Sequence, residues 1–355
     1  MAIQVAPATS EQTEDSAEPP DPPGPGLVLL IYSVVEALKR GEASDLVTDL
    51  ETLSIARSVA HALRSSGYRL KVAPIRCEDD LLATVSGLDP QVTLIFNLCE
   101  ALGGTTDGES RVPRVLEELG FHYGGGSPPN LDTCRDKAYT KALLLERGVP
   151  TAPYQVFQAP DERIEVPLPA IIKPVAEDCS VGITREAVVT DPLSLRRRVA
   201  YILNTYKQPA LAEMFLDGRE FNVSLWGNAN AVHVLGIGES LYPPCDQTLR
   251  VMNFSAKWDP ASPEYQYFRT RCPARLDPQM EATIRDMALK AYLTTGCRDY
   301  ARVDLREKDG QIYVLEVNPN PCLATDGGFA KAARAAGYSY AQMIHQIVRW
   351  AWRRR

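Results

Sequence analysis

Two short stretches near the C-terminus decide how this chain is read: Arg302-Val303-Asp304 and Glu316-Val317-Asn318-Pro319-Asn320-Pro321. A short loop containing Asp309-Gly310 joins them, and the pattern is that of a β-hairpin. Side chains alternate across a strand, so loop length sets which residues share a face. A two-residue turn at Asp309-Gly310 would put Asp304 and Glu316 on opposite faces. A three-residue loop Lys308-Asp309-Gly310 puts Arg302, Asp304, Glu316 and Asn318 on one face, and this is the arrangement expected. Two carboxylates and an amide on one face, with no His or Cys beside them, make a hard oxygen set. Such a set suits Mg²⁺ shared with nucleotide phosphates better than zinc. The plainer alternative is a surface hairpin with solvated acids.

Weaker signals upstream bear on that choice. Asp136-Lys137, followed by Lys141, opens a helix, and Ile171-Ile172-Lys173-Pro174 ends a strand. Glu177-Asp178-Cys179-Ser180-Val181-Gly182 reads as a loop, and Glu213-Met214-Phe215-Leu216-Asp217-Gly218-Arg219-Glu220 joins two strands. Lys257-Trp258 sits in a polar stretch. A lone lysine is usually a solvated surface residue, so each piece is weak by itself. No G-x-x-x-x-G-K-[ST] occurs, which excludes a P-loop cradle.

The 355 residues, 45% hydrophobic and 23% charged, suffice for two or three domains. Of the net charge of −7, Glu11, Glu14, Asp15, Glu18 and Asp21 lie in Met1–Gly26, which has no Lys or Arg. The remainder is nearly neutral, which gives no sign of nucleic acid as a partner. Residues 1–26, Pro-rich and acidic, are expected to be a disordered arm. Eight scattered cysteines without a C-x-x-C pair fit reduced thiols in a cytoplasmic protein. No apolar run approaches the ~18 residues of a membrane span, and no basic segment marks Leu27–Val35 as a signal peptide.

From Leu27 strand and helix alternate: Leu27–Ser33 (strand), Glu51–Ser66 (helix, stopped by Gly67) and Val92–Phe96 (strand), which implies a parallel sheet. Asn130 and Asp132 are expected to cap a helix through Ala138–Arg147. Short strand-like segments follow, and a last helix puts Met343, Ile344, Ile347 and Val348 on one face. Arg353–Arg355 read as charges favourable at its C-terminus. The expected division is an arm at 1–26, an N-terminal α/β domain at 27–130, a small subdomain at 131–212 and a C-terminal subdomain at 213–355.

In chain order, Asn97-Leu-Cys-Glu100 with Gly103-Gly104, Tyr123-Gly-Gly, Asp136-Lys137, Lys173-Pro174, Gly218-Arg-Glu220, Arg302-x-Asp304 and Glu316-x-Asn318 resemble the ATP-grasp superfamily. The resemblance is to its D-alanine–D-alanine ligase-like branch and covers about Leu27–Arg353. It implies a mixed α/β and α+β ATP-grasp fold with an N-terminal parallel-sheet domain. It also implies an ADP-forming ligase: a carboxylate attacks the γ-phosphate of ATP, and the amine of a second substrate displaces phosphate from the acyl phosphate.

The same resemblance assigns roles. Lys137 and Lys173 would contact the nucleotide phosphates, with Lys257 near the γ-phosphate. Glu213, Met214 and Leu216 would meet adenine, and Glu220 the ribose hydroxyls. Asp304, Glu316 and Asn318 would hold two Mg²⁺ ions, or Mn²⁺. Arg302 would donate to the oxyanion of the acyl phosphate and tetrahedral intermediate. Ser180 would lie in a flexible loop closing over ATP and excluding water.

At the substrate end, Glu100 falls where the family often has a His. Glu51 falls near the family's ammonium-binding glutamate, although an acid at a helix N-terminus is an equal reading. After Asn318-Pro-Asn-Pro321 the family usually has a glycine and then a serine that grips the second carboxylate; this chain has Cys322 and then Asp326-Gly327-Gly328. The expected substrates are amino acids, or a peptide and an amino acid. D-Alanine–D-alanine ligase itself and a non-catalytic ATP-binding regulator are the alternatives. Homodimers are common among the relatives.

Overall fold

The computed structural model describes residues 24–35, 38–104, 108–229, 231–242 and 250–354, with the backbone alone at 48–50. Most of the expected arm lies outside the described residues.

The first sheet has the order β2-β1-β3-β4 and is parallel: β1 (Leu27–Ser33), β2 (Leu70–Ile75), β3 (Thr93–Leu98) and β4 (His122–Tyr123). β1 is apolar and buried on both faces, as a central parallel strand must be. Its Val28 and Leu30 pack toward α1 (Val47–Ser65), while Leu29 and Ile31 pack toward α2 (Glu78–Val85) and α3 (Arg111–Glu118). α1 ends where Gly67, at φ +82°, takes the left-handed conformation that L side chains avoid.

Asn130 and Asp132 do not cap the helix expected after them. They lie inside a separate helix, α4 (Pro128–Arg135), which Ser127 caps. The chain breaks at extended Asp136, whose carboxylate accepts from Tyr139 N at 2.9 Å and starts α5 (Lys137–Glu146). Two capping residues in one run make two helices.

The second sheet, antiparallel, runs β5-β8-β6-β7: β5 (Tyr154–Phe157), β6 (Ala170–Pro174), β7 (Val188–Val189) and β8 (Ala210–Met214). α6 (Pro192–Tyr206) covers it through Leu195, Val199 and Ile202.

The third sheet, also antiparallel, runs β11-β10-β9-β12-β13: β9 (Glu220–Asn228), β10 (Ala231–Leu241), β11 (Arg269–Arg271), β12 (Asp299–Lys308) and β13 (Gln311–Asn318). Between β10 and β11 lie the one-turn helices α7 (Phe254–Trp258) and α8 (Pro263–Tyr267). α9 (Pro278–Thr294) packs on the sheet through Ile284, Ala288 and Tyr292. α10 (Gly328–Ala335) and α11 (Tyr340–Arg353) join the third sheet to the first through one apolar cluster containing Trp226, Tyr300, Phe329 and Ile347. No helix among the described residues is long and apolar enough to cross a membrane.

The β12–β13 hairpin corrects the expected loop. Lys308 pairs with Gln311, so the turn has two residues, Asp309 and Gly310, both at positive φ (+53° and +79°). That is the turn type whose twist matches a hairpin. The four residues nonetheless share a face, because the register shifts between Leu305, opposite Val314, and Asp304, opposite Glu316. Leu315 is the extra residue of a β-bulge, and it reverses the parity the turn had set.

The basic C-terminus is also corrected in part. Arg354 donates from Nε and Nη2 to the carboxylate of fully buried Asp299, at 3.0 Å each, and from Nη2 to Tyr123 O. It is a half-buried partner of a buried carboxylate, tying the end of the chain to the first and third sheets.

Candidate active site

A cleft of about 660 Å³ opens between the three sheets. Among the residues expected at the site, Ser180, Lys173, Glu213, Met214, Leu216, Glu220, Lys257, Arg302, Asp304, Glu316 and Asn318 line it, as do Glu51, Glu100 and Gly327.

The acidic end is built by the bulged hairpin. Arg302 reaches two residues along its strand and grips Asp304 with both arms, Nε and Nη2 to the two carboxylate oxygens at 2.8 Å each. Asn318 Nδ2 donates to Asp304 Oδ2 at 3.2 Å and to Glu316 Oε1 at 3.5 Å, and Asn222 donates to Asp304 Oδ1 at 3.1 Å. Burial works to raise the Glu316 pKa, but Lys137, Lys173 and Arg302 outweigh it and hold the carboxyl at about 2. Asp304 shifts the other way: burial and the facing Glu316 charge push it up against the pull of Arg302. One carboxylate thus stays firmly ionised beside a second whose charge is opposed.

A divalent cation between them would relieve that repulsion, and two carboxylates with one amide oxygen are the donors a hard cation takes. Among the described residues no group of three His, Cys, Asp or Glu converges elsewhere or here. The remaining coordination positions would fall to water or phosphate.

The basic wall comes from the second sheet. Lys173 Nζ lies 2.7 Å from Glu213 Oε2, and Lys141 Nζ lies 2.5 Å from Glu213 Oε1. All three side chains are buried, and Lys141 also donates to Thr151 Oγ1 at 2.6 Å. Burial would raise the Glu213 pKa, yet the two ammonium groups lower it. The resemblance gives Glu213 a place at the adenine; its side chain also holds Lys173 in place. Lys141 belongs to the Asp136-Lys137…Lys141 run, in which the family resemblance assigns a role to Lys137 alone. Its spacing of four from Lys137 on one helix was the available signal.

Lys137 does not lie on the cleft wall. Its buried ammonium donates to Glu177 O at 2.5 Å and Asp178 Oδ1 at 2.8 Å. It remains close enough to Glu316 to stabilise that charge.

The loop after β6 is fastened rather than free-standing. Ser180 Oγ donates to Met252 O at 2.9 Å, Trp258 Nε1 to Cys179 O at 3.0 Å, and Phe254 N to Ile183 O at 2.8 Å. Cys179 and Ser180 both take positive φ, +56° and +63°, a conformation costing about 1–2 kcal/mol per residue. Those bonds join the loop to α7, whose Lys257 ammonium lies 5.0 Å from the Trp258 ring centroid.

At the base of the cleft, Glu220 Oε2 accepts from Tyr242 OH at 2.8 Å and is paired with Arg306 Nη2 at 3.0 Å. At the opposite end, Glu51 sits in the second turn of α1, past the first turn where a helix dipole favours an acid. Burial and Asp326 raise its pKa against the pull of Lys257. Gly327 is the N-cap of α10, and Cys322 and Asp326 line the cleft beside it. Arg306, Tyr242 and the Asn320–Glu109 hydrogen bond of 2.9 Å were not foreseen, because no spacing in the sequence marks them.

Comparison with known proteins agrees with this geometry. The family model described as D-ala D-ala ligase C-terminus matches residues 143–349. An uncharacterized protein, y4sG, of Sinorhizobium fredii is 35% identical over 313 residues, 84% of this chain and 88% of its own. A D-alanine–D-alanine ligase of Bordetella petrii is 32% identical over 253 residues, 70% of this chain and 73% of its own. The fold is similar to the crystal structure of D-alanine–D-alanine ligase from Bacillus anthracis complexed with ATP, with a TM-score of 0.72 at 21% identity, covering 92% of this chain and 97% of that one. With ion-paired lysines and a bulged acidic hairpin facing one cleft, the chain belongs to the D-alanine–D-alanine ligase family and is an ATP-grasp, ADP-forming carboxylate–amine ligase.

Proposed function

We propose that the protein joins the carboxylate of an amino acid or peptide to the amine of an amino acid, with ATP and Mg²⁺ (or Mn²⁺) in the cleft. The reading rests on one observation: Lys173 lines the same cleft as Asp304, Glu316 and Asn318, and its charge reaches Glu316. Three units, 27–130, 131–212 and 213–355, would enclose the reactants. Asp304, Glu316 and Asn318 would hold the two ions, which neutralise phosphate charge when bound.

The chain's own groups do the rest. Lys173 and Lys257 attract the triphosphate, and Lys137 reinforces the field from behind the loop. Glu213, Met214 and Leu216 meet the adenine edge and Glu220 the ribose. Arg302 donates to the oxyanion as the acyl phosphate and then the tetrahedral intermediate form, an effect typically worth a few kcal/mol of barrier. The Ser180 loop excludes water, which would hydrolyse the acyl phosphate. Glu51 and Glu100 face the amino-acid end. We place the enzyme in the cytoplasm, acting on small molecules rather than on nucleic acid or membrane, and the homodimer common in the family is its expected assembly.

The relatives named D-alanine–D-alanine ligase favour that activity as the second reading. Gly327 and Asp326, where the family's serine would grip the acceptor, speak for a different acceptor. The purified protein, ATP, Mg²⁺ and a panel of amino acids decide the matter. ADP release with an amino acid other than D-alanine supports the first reading, release with D-alanine alone supports the second, and tight ATP binding without release supports a regulator.

A further inference from the structure

Asn222 is an amide on the cleft wall that lies outside the motifs read in the sequence. It stands in register with Asp304 on the neighbouring strand, and Asp304 stands in register with Glu316. Residues opposite one another in antiparallel strands share a face. β9, β12 and β13 thus carry one cross-strand row of oxygen-bearing side chains, Asn222, Asp304 and Glu316, and all three line the cleft.

The way Asp304 is held makes that amide informative. An ionised carboxylate has about two lone pairs on each oxygen. The Arg302 fork takes one on each, Nε on Oδ1 and Nη2 on Oδ2, at 2.8 Å. Asn222 Nδ2 takes the second on Oδ1 at 3.1 Å, and Asn318 Nδ2 takes the second on Oδ2 at 3.2 Å. Protein donors therefore saturate Asp304, and a cation reaches it only by displacing one of them. The amides are the ones to yield, because a bidentate charged fork outbinds a single neutral N–H.

An Asn amide that turns over exchanges its N–H for its carbonyl oxygen, an acceptor for a hydrogen bond and a donor to a hard cation. Asn222 and Asn318 flank the carboxylate alike, one on each oxygen, and only Asn318 belongs to the motif. Asn222 Oδ1 accepts no hydrogen bond among the described residues and is not sealed from solvent. Turning the amide therefore strands no buried N–H.

We propose that Asn222 is a cation-binding residue, its amide oxygen adding a fourth protein donor to Asp304, Glu316 and Asn318. This rests on the reading of the hairpin as the metal site. The fourth oxygen takes a coordination position that water would otherwise fill.

Mn²⁺ binding to the full-length protein, followed by electron paramagnetic resonance with and without ADP, tests this without knowledge of the amino-acid substrates. Line broadening in ¹⁷O-enriched water counts the waters on the bound ion. Asn222→Leu, similar in size but without the amide, should bind Mn²⁺ about tenfold more weakly and carry one further water on the ion. Asn222→Asp keeps an oxygen and adds charge, so it should keep the wild-type water count and bind Mn²⁺ more tightly. An unchanged water count in Asn222→Leu overturns the assignment whatever its affinity, because a residue that only steadied Asp304 would leave no ligand position to fill. If the Leu variant does not fold, an Asn222→Asp protein that binds no more tightly than wild type overturns it. A wild type that takes up no Mn²⁺ even with ADP would instead overturn the metal reading of the hairpin, a separate outcome.

Discussion

Asp304 and Glu316 stand directly opposite each other across a hairpin whose two-residue turn, continued in regular register, would have separated them onto different faces. The face they share is made by Leu315, one bulged residue three positions before Asn318. Both carboxylates, the Arg302 fork and the Asn318 amide depend on that local irregularity.

Glu316→Gln removes the charge that three cations hold ionised down to about pH 2. Turnover should fall at least a hundredfold, about 3 kcal/mol of barrier, and added Mg²⁺ should not restore it. ADP release measured against Mg²⁺ concentration, with circular dichroism confirming the fold, checks this; wild-type rates would remove Glu316 from the proposed metal site.

The two lysines on Glu213 should separate in their effects. Lys173→Ala should raise the ATP concentration needed for half-maximal rate. Lys141→Met leaves a buried carboxylate with one partner in place of two and should cost about 3 kcal/mol of stability. Urea unfolding and ATP titration of both variants make the comparison, and equal effects on both readouts would refute the division.

Glu109 carries a pH signature. Burial pushes its carboxyl up to about 8, against the pull of the Asn320 amide. In the unfolded chain it titrates near its ordinary 4.5. Between those values the folded state binds the extra proton, so this group's contribution is complete below pH 4.5 and declines as pH rises to about 8. Glu109→Gln should flatten that decline while keeping an acceptor for Asn320. Urea midpoints at pH 5.5 and 8 would show the variant gaining on wild type at the higher pH; a constant difference would count against it.

Ser180→Ala cuts the bond from the loop to Met252 O. Poorer exclusion of water should raise ADP release relative to ligated product by about two- to tenfold, the effect of losing roughly one hydrogen bond. Parallel assays of ADP and product supply the ratio, and an unchanged ratio would leave the bond without a role in closure.

Much of this architecture was legible in the residues. The apolar run Leu27–Ser33 and the Gly67 stop gave the first parallel strand and the end of its helix. The charged motifs lay in one order, and all but Lys137 among those assigned roles line the cleft. The turn length departs from expectation because a bulge, and not a longer loop, brings the carboxylates onto one face, although Asp309-Gly310 is itself a strong two-residue hairpin signal. The bulge did leave a trace: the buried positions Ile312, Val314 and Val317 are spaced two and then three apart. Arg306, Tyr242 and Arg354 were not legible, because their partners are distant in sequence and only the folded sheets bring them together.

A single inserted residue also lets one strand do two jobs. Because Leu315 and Glu316 are consecutive and both border the cleft, β13 offers a greasy surface and an anion side by side, where an unbroken zigzag would offer every second residue. A nucleotide has that same division, a flat base at one end and a charged tail at the other. The irregular backbone therefore suits the two-faced character of the nucleotide we propose the cleft holds.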